Sequence, residues 1–255
     1  MPDRPARGLF VTGTDTGVGK TLVSAALLAA MATEGRAVAA HKPVVTGLAP
    51  ENAPAWPPDH ELLALAAGMR AADVAPHRFE QPLSPHLAAE LAGRPLDRAE
   101  LLEEARAAAG AAQRRGATLI VEGVGGLLVP LAAGGFTVRE LACALALPLI
   151  VAARPGLGTI NHSLLTIDAA RAAGLHVRAV VLTPWPPEPS AMERSNRDTV
   201  RELGGVEVAG LPPIATPSVA ALAAAGAALP WRRWLSAPRH RAGKPEYGSD
   251  PSGIT

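Results

Sequence analysis

The stretch Gly13-Thr-Asp-Thr-Gly-Val-Gly-Lys-Thr21 lies between a short apolar run and a helical pattern, and it decides the fold. Its glycines let backbone N–H groups converge on phosphate oxygens, and a helix that begins here adds the positive end of its dipole. Lys20 is then expected to reach the terminal phosphates of a nucleotide, and Thr21 to bind Mg²⁺. Thr14 stands where the first glycine usually does, so the loop is one residue longer than the common pattern. The stretch predicts a site for a nucleoside triphosphate.

On both sides of this loop, short β-branched runs alternate with longer amphipathic runs. That alternation is typical of a parallel sheet flanked by helices. We therefore predict an α/β fold of the P-loop NTPase type, a mostly parallel sheet with helices on both faces. Strands are expected at residues 8–12, 37–40, 118–121, 148–153, 177–183 and 206–211, and the clearest helices at 21–34, 60–68 and 96–115.

The length of 255 residues and the hydrophobic content of 48% are enough for one sizeable core. We predict a single domain over residues 1–235. From about residue 236 the chain loses apolar periodicity and gains Pro, Gly and charge, so residues 236–255 are predicted to be a disordered tail.

The composition argues against several classes of protein. With 24 Lys and Arg against 23 Asp and Glu, the chain offers no electrostatic footprint for nucleic acid or an anionic membrane. No apolar run is long enough for a membrane span or a secretory signal, so we expect a cytoplasmic protein. Cys143 is the single cysteine, and its apolar surroundings favour a buried structural thiol over a nucleophile.

A phosphate loop of this kind needs carboxylates to hold the metal opposite Thr21. Glu122 follows a buried strand, and the carboxyl ends of strands in open α/β sheets face the ligand crevice. Asp59 is a second candidate, although it also stands where it could cap the helical run that follows it. We predict that Thr21, Asp59 and Glu122 form the Mg²⁺ site.

Five motifs together resemble one family. These are GTDTGVGKT, HKPVVTG, PLSPH, VEGVGG and GTINHSLLT, and they occur in the order and spacing of the dethiobiotin synthetases. The first and fourth are shared among many P-loop enzymes, whereas HKPVVTG and GTINH are much more specific. The resemblance covers residues 8 to about 215. It implies that 7,8-diaminopelargonate, CO₂ or bicarbonate, and ATP give dethiobiotin, ADP and phosphate in an Mg²⁺-dependent reaction.

The resemblance also implies which residues bind the nucleotide. The phosphate loop would contribute Thr14, Asp15, Thr16, Gly17, Val18, Gly19, Lys20 and Thr21, and the base site Thr183, Leu211, Pro212 and Pro213. Two positions depart from the family. The family usually has Glu at position 17, and it commonly has an adenine-reading Asn at position 183. A hydroxyl offers fewer hydrogen bonds than an amide, so Thr183 predicts weaker discrimination between bases.

For the substrate, the resemblance places Lys42 over the transferred phosphoryl group and the carbamate, and makes Lys42 and Lys20 the catalytic residues. Thr46, where the family often has Ser, lies in the same motif. The other residues implied to bind substrate are Ser84, Pro85, His86, Gly158, Thr159 and Asn161. In the family the segment with Asn161 comes from the partner subunit, so a homodimer is implied. His86 and His162 are explained at least as well by structural hydrogen bonds as by acid–base roles.

Two other classes share parts of the pattern and stay open at this point. A partitioning ATPase of the ParA/MinD type would need a second lysine early in the loop, where this chain has Asp15. A cobyrinate-type amidating ligase would carry a glutaminase domain with a catalytic cysteine, and Cys143 does not fit that role.

Overall fold

The computed structural model of the protein describes residues 7–49 and 56–236, and its main sheet has six strands, all parallel. The strands are β1 (Gly8–Gly13), β2 (Val38–His41), β3 (Val44–Val45), β4 (His77–Arg78), β5 (Thr118–Gly126), β6 (Pro130–Ala132), β7 (Phe136–Thr137), β8 (Leu149–Ala153), β9 (Val177–Leu182) and β10 (Glu207–Gly210). The order in the main sheet is β10-β9-β8-β1-β5-β2. β3 with β4, and β6 with β7, form small separate ladders.

Helices surround this sheet. They are α1 (Lys20–Thr33), α2 (Asp59–Ala67), α3 (Ala71–Val74), α4 (Pro85–Leu91), α5 (Arg98–Arg114), α6 (Val138–Leu145), α7 (Thr159–Ala172), α8 (Ala191–Gly204), α9 (Val219–Ala227) and α10 (Trp231–Ser236). Among the described residues, none of these helices combines the length and the apolar character that crossing a bilayer requires.

Alternation along β1 divides the core into two layers. Leu9 and Val11 belong to the layer that contains the apolar residues of α1, whereas Phe10 belongs to the layer with Leu101 of α5 and Leu141 of α6. Successive side chains of a strand point to opposite faces, so helices must cover both faces of this sheet. The predicted architecture is confirmed, and each of the six predicted strands is present.

The C-terminal helices pack against the helix of the phosphate loop. A Cβ atom added at Gly226 of α9 would lie 2.0 Å from the carbonyl oxygen of Ala26 in α1, so the two backbones touch. Trp231 and Trp234 of α10 are fully buried in the same layer as α1. Ser236 ends α10, and the rest of the predicted tail, like residues 1–6, lies outside the described residues.

Three expectations about single residues are wrong. Cys143 is exposed, because the buried stripe of α6 consists of Val138, Leu141 and Ala142 and Cys143 lies just outside it. Asp59 does not cap α2: it is the first residue of that helix, its side chain makes no capping bond, and it binds a lysine instead. Glu122 does not mark the end of a strand, since β5 continues to Gly126.

Candidate functional site

The phosphate loop connects the end of β1 to α1, at the edge of the sheet where the strands end. Gly19 immediately precedes the helix in the left-handed region, with φ 90°, and it has no side chain that could cap the first turn. The N–H groups of that turn are therefore available to an anion. A Cβ atom at Gly19 would lie 2.5 Å from Cγ2 of Thr183, so glycine is required both by conformation and by space.

Other predicted loop residues contribute backbone more than side chains. Val18 is buried in the core layer that contains α1. Thr14 donates its N–H to the carbonyl of Ala152 at 3.0 Å, which ties the loop to β8. The Asp15 carboxylate accepts the N–H of Thr16 at 2.6 Å. These bonds hold the loop in shape before any ligand arrives.

Lys20 lies along the loop rather than out in solvent. Its Nζ donates to the carbonyl of Asp15 at 2.9 Å, and the residue is buried. Burial, followed by the nearby charge of Lys42, lowers the pKa of Lys20 to about 8. A phosphate group would relieve this penalty by pairing with the ammonium group.

Lys42 connects the two carboxylates that were predicted to bind metal. Its Nζ lies 2.5 Å from Oε1 of Glu122 and 2.7 Å from Oδ2 of Asp59. The hydroxyl of Thr21 donates to the same Oε1 of Glu122 at 2.8 Å. Lys42 is 2% exposed and Glu122 is 0% exposed, so their pairing is shielded from water, whereas the side chain of Asp59 is 46% exposed. Three separate motifs of the sequence thus meet at one point.

Electrostatic interactions favour the charged forms of Lys42 and Asp59. Burial alone would lower the pKa of Lys42, but Asp59 and Glu122 outweigh it, and the pKa is raised above its usual value. Burial would raise the pKa of Asp59, yet the adjacent Lys42 ammonium lowers it. The buried ammonium of Lys42 is therefore paired, on Asp59 and on Glu122, and does not stand as an isolated buried charge.

The same oxygens fit a divalent cation. Thr21, Asp59 and Glu122 offer only hydroxyl and carboxylate oxygens, which are the donors that Mg²⁺ prefers. Within the described residues, Oε2 of Glu122 is buried and has no hydrogen-bond partner, so the group has an unused anionic lone pair. Asp59 and Glu122 together carry two negative charges and Lys42 carries one positive charge. A bound cation would neutralise the remaining negative charge.

A pocket of about 790 Å³ opens beside this group. Its lining includes six residues of the phosphate-loop region and, of the predicted substrate residues, Lys42, Thr46, Ser84 and Pro85. The lining residues are Thr16, Gly17, Gly19, Lys20, Thr21, Leu22, Lys42, Thr46, Trp56, Pro57, Asp59, Leu62, Pro82, Leu83, Ser84, Pro85, Val124, Gly125 and Val129. Phosphate, metal and substrate candidates therefore share one cavity.

Some lining residues were not predicted from the sequence. Trp56, Leu83, Val124 and Val129 provide apolar surface. Leu83 and Val124 stand inside the motifs PLSPH and VEGVGG, but as apolar positions between the residues assigned to chemistry. A pattern search for chemistry has no signal for such residues. Trp56 follows β3, Leu83 follows β4, and Val124 and Val129 lie in β5 and just after it, so segments far apart in the chain supply this surface.

Four predicted substrate residues lie outside this lining. His86 is the second residue of α4, and Gly158, Thr159 and Asn161 form the beginning of α7. Asn161 is exposed on the surface of this chain. That location is compatible with a segment that serves another subunit, as the resemblance implies.

The turn before α7 has a buried anchor that the sequence did not reveal. Nδ2 of Asn196, in α8, donates to the carbonyl of Pro155 at 2.9 Å and to that of Gly156 at 3.1 Å. Asn196 therefore fixes the turn that leads to Gly158. A lone Asn inside a helical run carries no sequence signal for such a contact.

The predicted base residues lie at the ends of two neighbouring strands. Thr183 follows β9, is 3% exposed, and packs its methyl group against Gly19. Leu211 follows β10, and its carbonyl accepts the N–H of Trp185 at 2.7 Å. Pro212 and Pro213 continue from there. Thr183 thus lies against the phosphate loop, and none of these four residues belongs to the lining of the pocket described above.

Comparison with known proteins gives consistent matches. The AAA domain family matches residues 7–219. The ATP-dependent dethiobiotin synthetase BioD of Rhodococcus jostii (strain RHA1) is 42% identical over 230 residues, which is 89% of this chain and 96% of that protein. The same enzyme of Anaeromyxobacter sp. (strain K) is 47% identical over 184 residues, 71% of this chain and 78% of that protein. Among solved structures, chloroplast FtsY from Physcomitrella patens has a TM-score of 0.46 and 13% identity over 89% of this chain and 66% of that one, too remote to bear on function.

Proposed function

The chain belongs to the ATP-dependent dethiobiotin synthetases, which are ligases, and on that premise we propose that it closes the ureido ring of dethiobiotin from 7,8-diaminopelargonate, CO₂ and ATP. The observation that carries this proposal is the set of contacts that joins three residues of the pocket lining, Thr21, Lys42 and Asp59, with the buried Glu122, in a pocket that the phosphate loop also lines. A partitioning ATPase or an amidating ligase is not among the relatives described above.

In the proposed reaction one amine of the substrate adds to CO₂ and forms a carbamate. Transfer of the γ-phosphoryl group of ATP converts the carbamate into a carbamic-phosphoric anhydride and releases ADP. The second amine then displaces phosphate and closes the ring. Phosphoryl transfer needs positioning and neutralisation of charge more than covalent help from the protein. The pocket supplies these through two lysines.

We assign the two lysines to different parts of the transferred group. Lys20, held along the loop, pairs with the nucleotide phosphates, and the uncapped first turn of α1 donates its N–H groups to the same oxygens. Lys42 starts 2.5–2.7 Å from the two carboxylates and faces the same pocket. With a cation on those carboxylates, the Lys42 ammonium would be available to the carbamate and the γ-phosphate.

Thr21, Asp59 and Glu122 would hold Mg²⁺. When bound, the ion would neutralise charge on the β- and γ-phosphate oxygens. The oxygen donors support this assignment, as does Oε2 of Glu122, which has no hydrogen-bond partner in the part of the chain that the structure describes.

The diamine is proposed to lie between Thr46 and the Ser84–Pro85 turn, with its amines towards Lys42. Its aliphatic chain suits the apolar surface of Leu83, Val124 and Val129. The substrate carboxylate would be bound by Gly158, Thr159 and Asn161 of the partner in a homodimer, since in this chain those residues lie outside the pocket lining.

The proposal is tested by incubating the purified protein with the diamine, bicarbonate, ATP and Mg²⁺. Mass spectrometry should detect dethiobiotin, with one ADP formed for each product molecule. Omitting the diamine should stop most ADP formation. ATP hydrolysis that proceeds equally well without diamine, with no dethiobiotin, would contradict the proposal.

A further inference from the structure

A second group of metal-binding side chains lies apart from the pocket. His77 belongs to β4, and Glu100 and Glu104 lie one turn apart on α5. One nitrogen or oxygen from each of the three lies within 4.8 Å of the others. Nε2 of His77 is already 2.9 Å from Oε2 of Glu104. None of the three lines the pocket, so the cluster has no part in the proposed reaction.

The spacing of the two glutamates suits a shared ligand. Residues four apart on a helix lie on the same face, and β4 brings the imidazole up to that face. Tetrahedral zinc has bonds of about 2.0–2.2 Å to nitrogen and carboxylate oxygen, so its donors lie roughly 3.3 Å apart. The 4.8 Å limit on the three donor atoms is close to that separation, and Glu100 is exposed, so no packing restricts its side chain.

A buried histidine next to the cluster gives independent support. His41 ends β2, and side chains alternate along a strand, so it shares a face with Ala39. Ala39 packs in the same core layer as Leu101 and Ala105 of α5, which places the His41 imidazole under that helix. Among the described residues, the buried Nε2 of His41 has no hydrogen-bond partner.

The surroundings of His41 also keep it available as a ligand. Burial, followed by the charge of His77, lowers the pKa of His41 to about 4. The imidazole is therefore neutral at physiological pH, which is the form that binds metals. The charge effect also means that the two histidines lie near each other.

We propose that His77, Glu100 and Glu104 bind a transition-metal ion of the zinc class, with His41 as a further donor. Imidazole with carboxylates favours Zn²⁺ over Mg²⁺, which prefers oxygen donors alone. Such an ion joins β4 to α5 and, through His41, to the end of β2. His41 directly precedes Lys42, so the site stiffens the strand end that presents this lysine.

The test counts zinc ions bound to the full chain. Tag-free protein is treated with chelator, dialysed against Zn²⁺ in excess Mg²⁺, and analysed for bound metal and by calorimetry. Glu104→Gln and His77→Gln should each lose one zinc ion per chain or bind it at least about tenfold more weakly. Glu103→Gln is the matched control, because Glu103 is an exposed glutamate of the same helix outside the cluster.

All the variants retain Asp59 and Glu122, so any zinc bound there contributes equally to each of them. The difference in zinc content between variants therefore reports on the proposed site alone. Equal zinc content and affinity in Glu104→Gln and Glu103→Gln would overturn the proposal and leave a plain His77–Glu104 ion pair. Anomalous scattering at the zinc edge locates the ion directly. A peak between β4 and α5 supports the proposal, and peaks only beside Glu122 overturn it. Neither result depends on whether dethiobiotin is the product.

Discussion

Lys42 forms ion pairs with the two carboxylates that are proposed to bind the metal ion. We assign two roles to its positive charge. In the structure it keeps Asp59 and Glu122 from repelling each other. During turnover it is proposed to face the reacting carbamate. Replacing it affects these two uses differently, because the carboxylates can find another cation whereas the carbamate cannot.

Lys42→Ala is expected to slow dethiobiotin formation by about 10²–10³-fold, the loss typical of removing one stabilising donor from a reacting centre. Mg-nucleotide binding should weaken less than tenfold, since the metal carboxylates remain. Steady-state rates and equilibrium binding are measured on the same preparation. Lys42→Arg is the control that keeps the charge but changes its geometry. Equal losses of rate and binding in Lys42→Ala would make Lys42 a nucleotide-binding residue only.

Lys20→Ala is expected to abolish turnover while leaving the melting temperature within a few degrees of the unmodified protein. Lys20 makes one bond to a loop carbonyl, and its lowered pKa shows that burial costs it stability before phosphate binds. Rates and thermal unfolding are compared side by side. If the variant keeps more than about a tenth of the rate, a barrier change below ~1.4 kcal/mol, the role of Lys20 is wrong.

Thr183 is expected to give weak discrimination between bases. Its side chain is enclosed against Gly19, so it offers no paired amide to the edge of adenine. We predict that CTP or GTP supports the reaction within about tenfold of ATP, a difference of ~1.4 kcal/mol. Thr183→Asn should widen the preference for ATP. The values of kcat/KM for four triphosphates decide this, and strict ATP specificity in the unmodified protein would show that the base is read elsewhere.

At the scale of elements, the contact between α1 and α9 depends on a single missing side chain. A Cβ atom at Gly226 would overlap the backbone of Ala26, and backbone cannot move aside as a flexible side chain can. Gly226→Ala is expected to lower the free energy of unfolding by about 1–3 kcal/mol, as overpacking does. Gly110→Ala, at a helical glycine in α5 where the nearest atom is the end of the Arg114 side chain, should be neutral or stabilising. Chemical unfolding of both proteins measures the difference, and equal stabilities would mean that α9 shifts freely.

Elements differed in how well the sequence predicted them. Five of the six strands of the main sheet are buried along nearly their whole length, and burial on both faces gives a short apolar run that the sequence shows clearly; the edge strand β10 is only half-buried. α9 and α10 were missed because an Ala-rich run such as VAALAAAGA has no polar alternation to set its period. Cys143 was misplaced for a related reason, since Ala and Leu surround it on every side and conceal which face is buried.

In the candidate site too, some features could be predicted from the sequence and others could not. Residues with a charge or a phosphate-loop glycine were found from the sequence, and Lys42, Asp59, Glu122 and Thr21 do meet. The pairing of Lys42 with both carboxylates was not foreseen, because it depends on where β2, α2 and β5 come together. Asn196 was missed for the same reason: its contact joins positions 40–41 residues apart.

At the scale of the whole molecule, the location of Asn161 outside the pocket lining raises the question of where the substrate carboxylate binds. Lys20→Ala and Asn161→Ala proteins are each expected to be nearly inactive. If a homodimer shares its sites, unfolding and refolding the two together should restore activity to about a quarter of the unmodified level, since half the dimers are mixed and one of their two sites is intact. Activity of the refolded mixture is the measurement, and each variant refolded alone is the control. No recovery would place Asn161 in its own subunit's site or outside it.

The close packing of α9 on α1 also imposes an order on biosynthesis. The ribosome makes β1, the phosphate loop and α1 first, and N-terminal segments usually begin to fold while the chain is still growing. Here one side of α1 is completed only by Leu222, Trp231 and Trp234, about 200 residues later in the chain. Until those residues leave the exit tunnel, α1 exposes an apolar stripe that chaperones would recognise. The loop of the nucleotide site is therefore among the first parts made, whereas the packing that completes its helix is among the last.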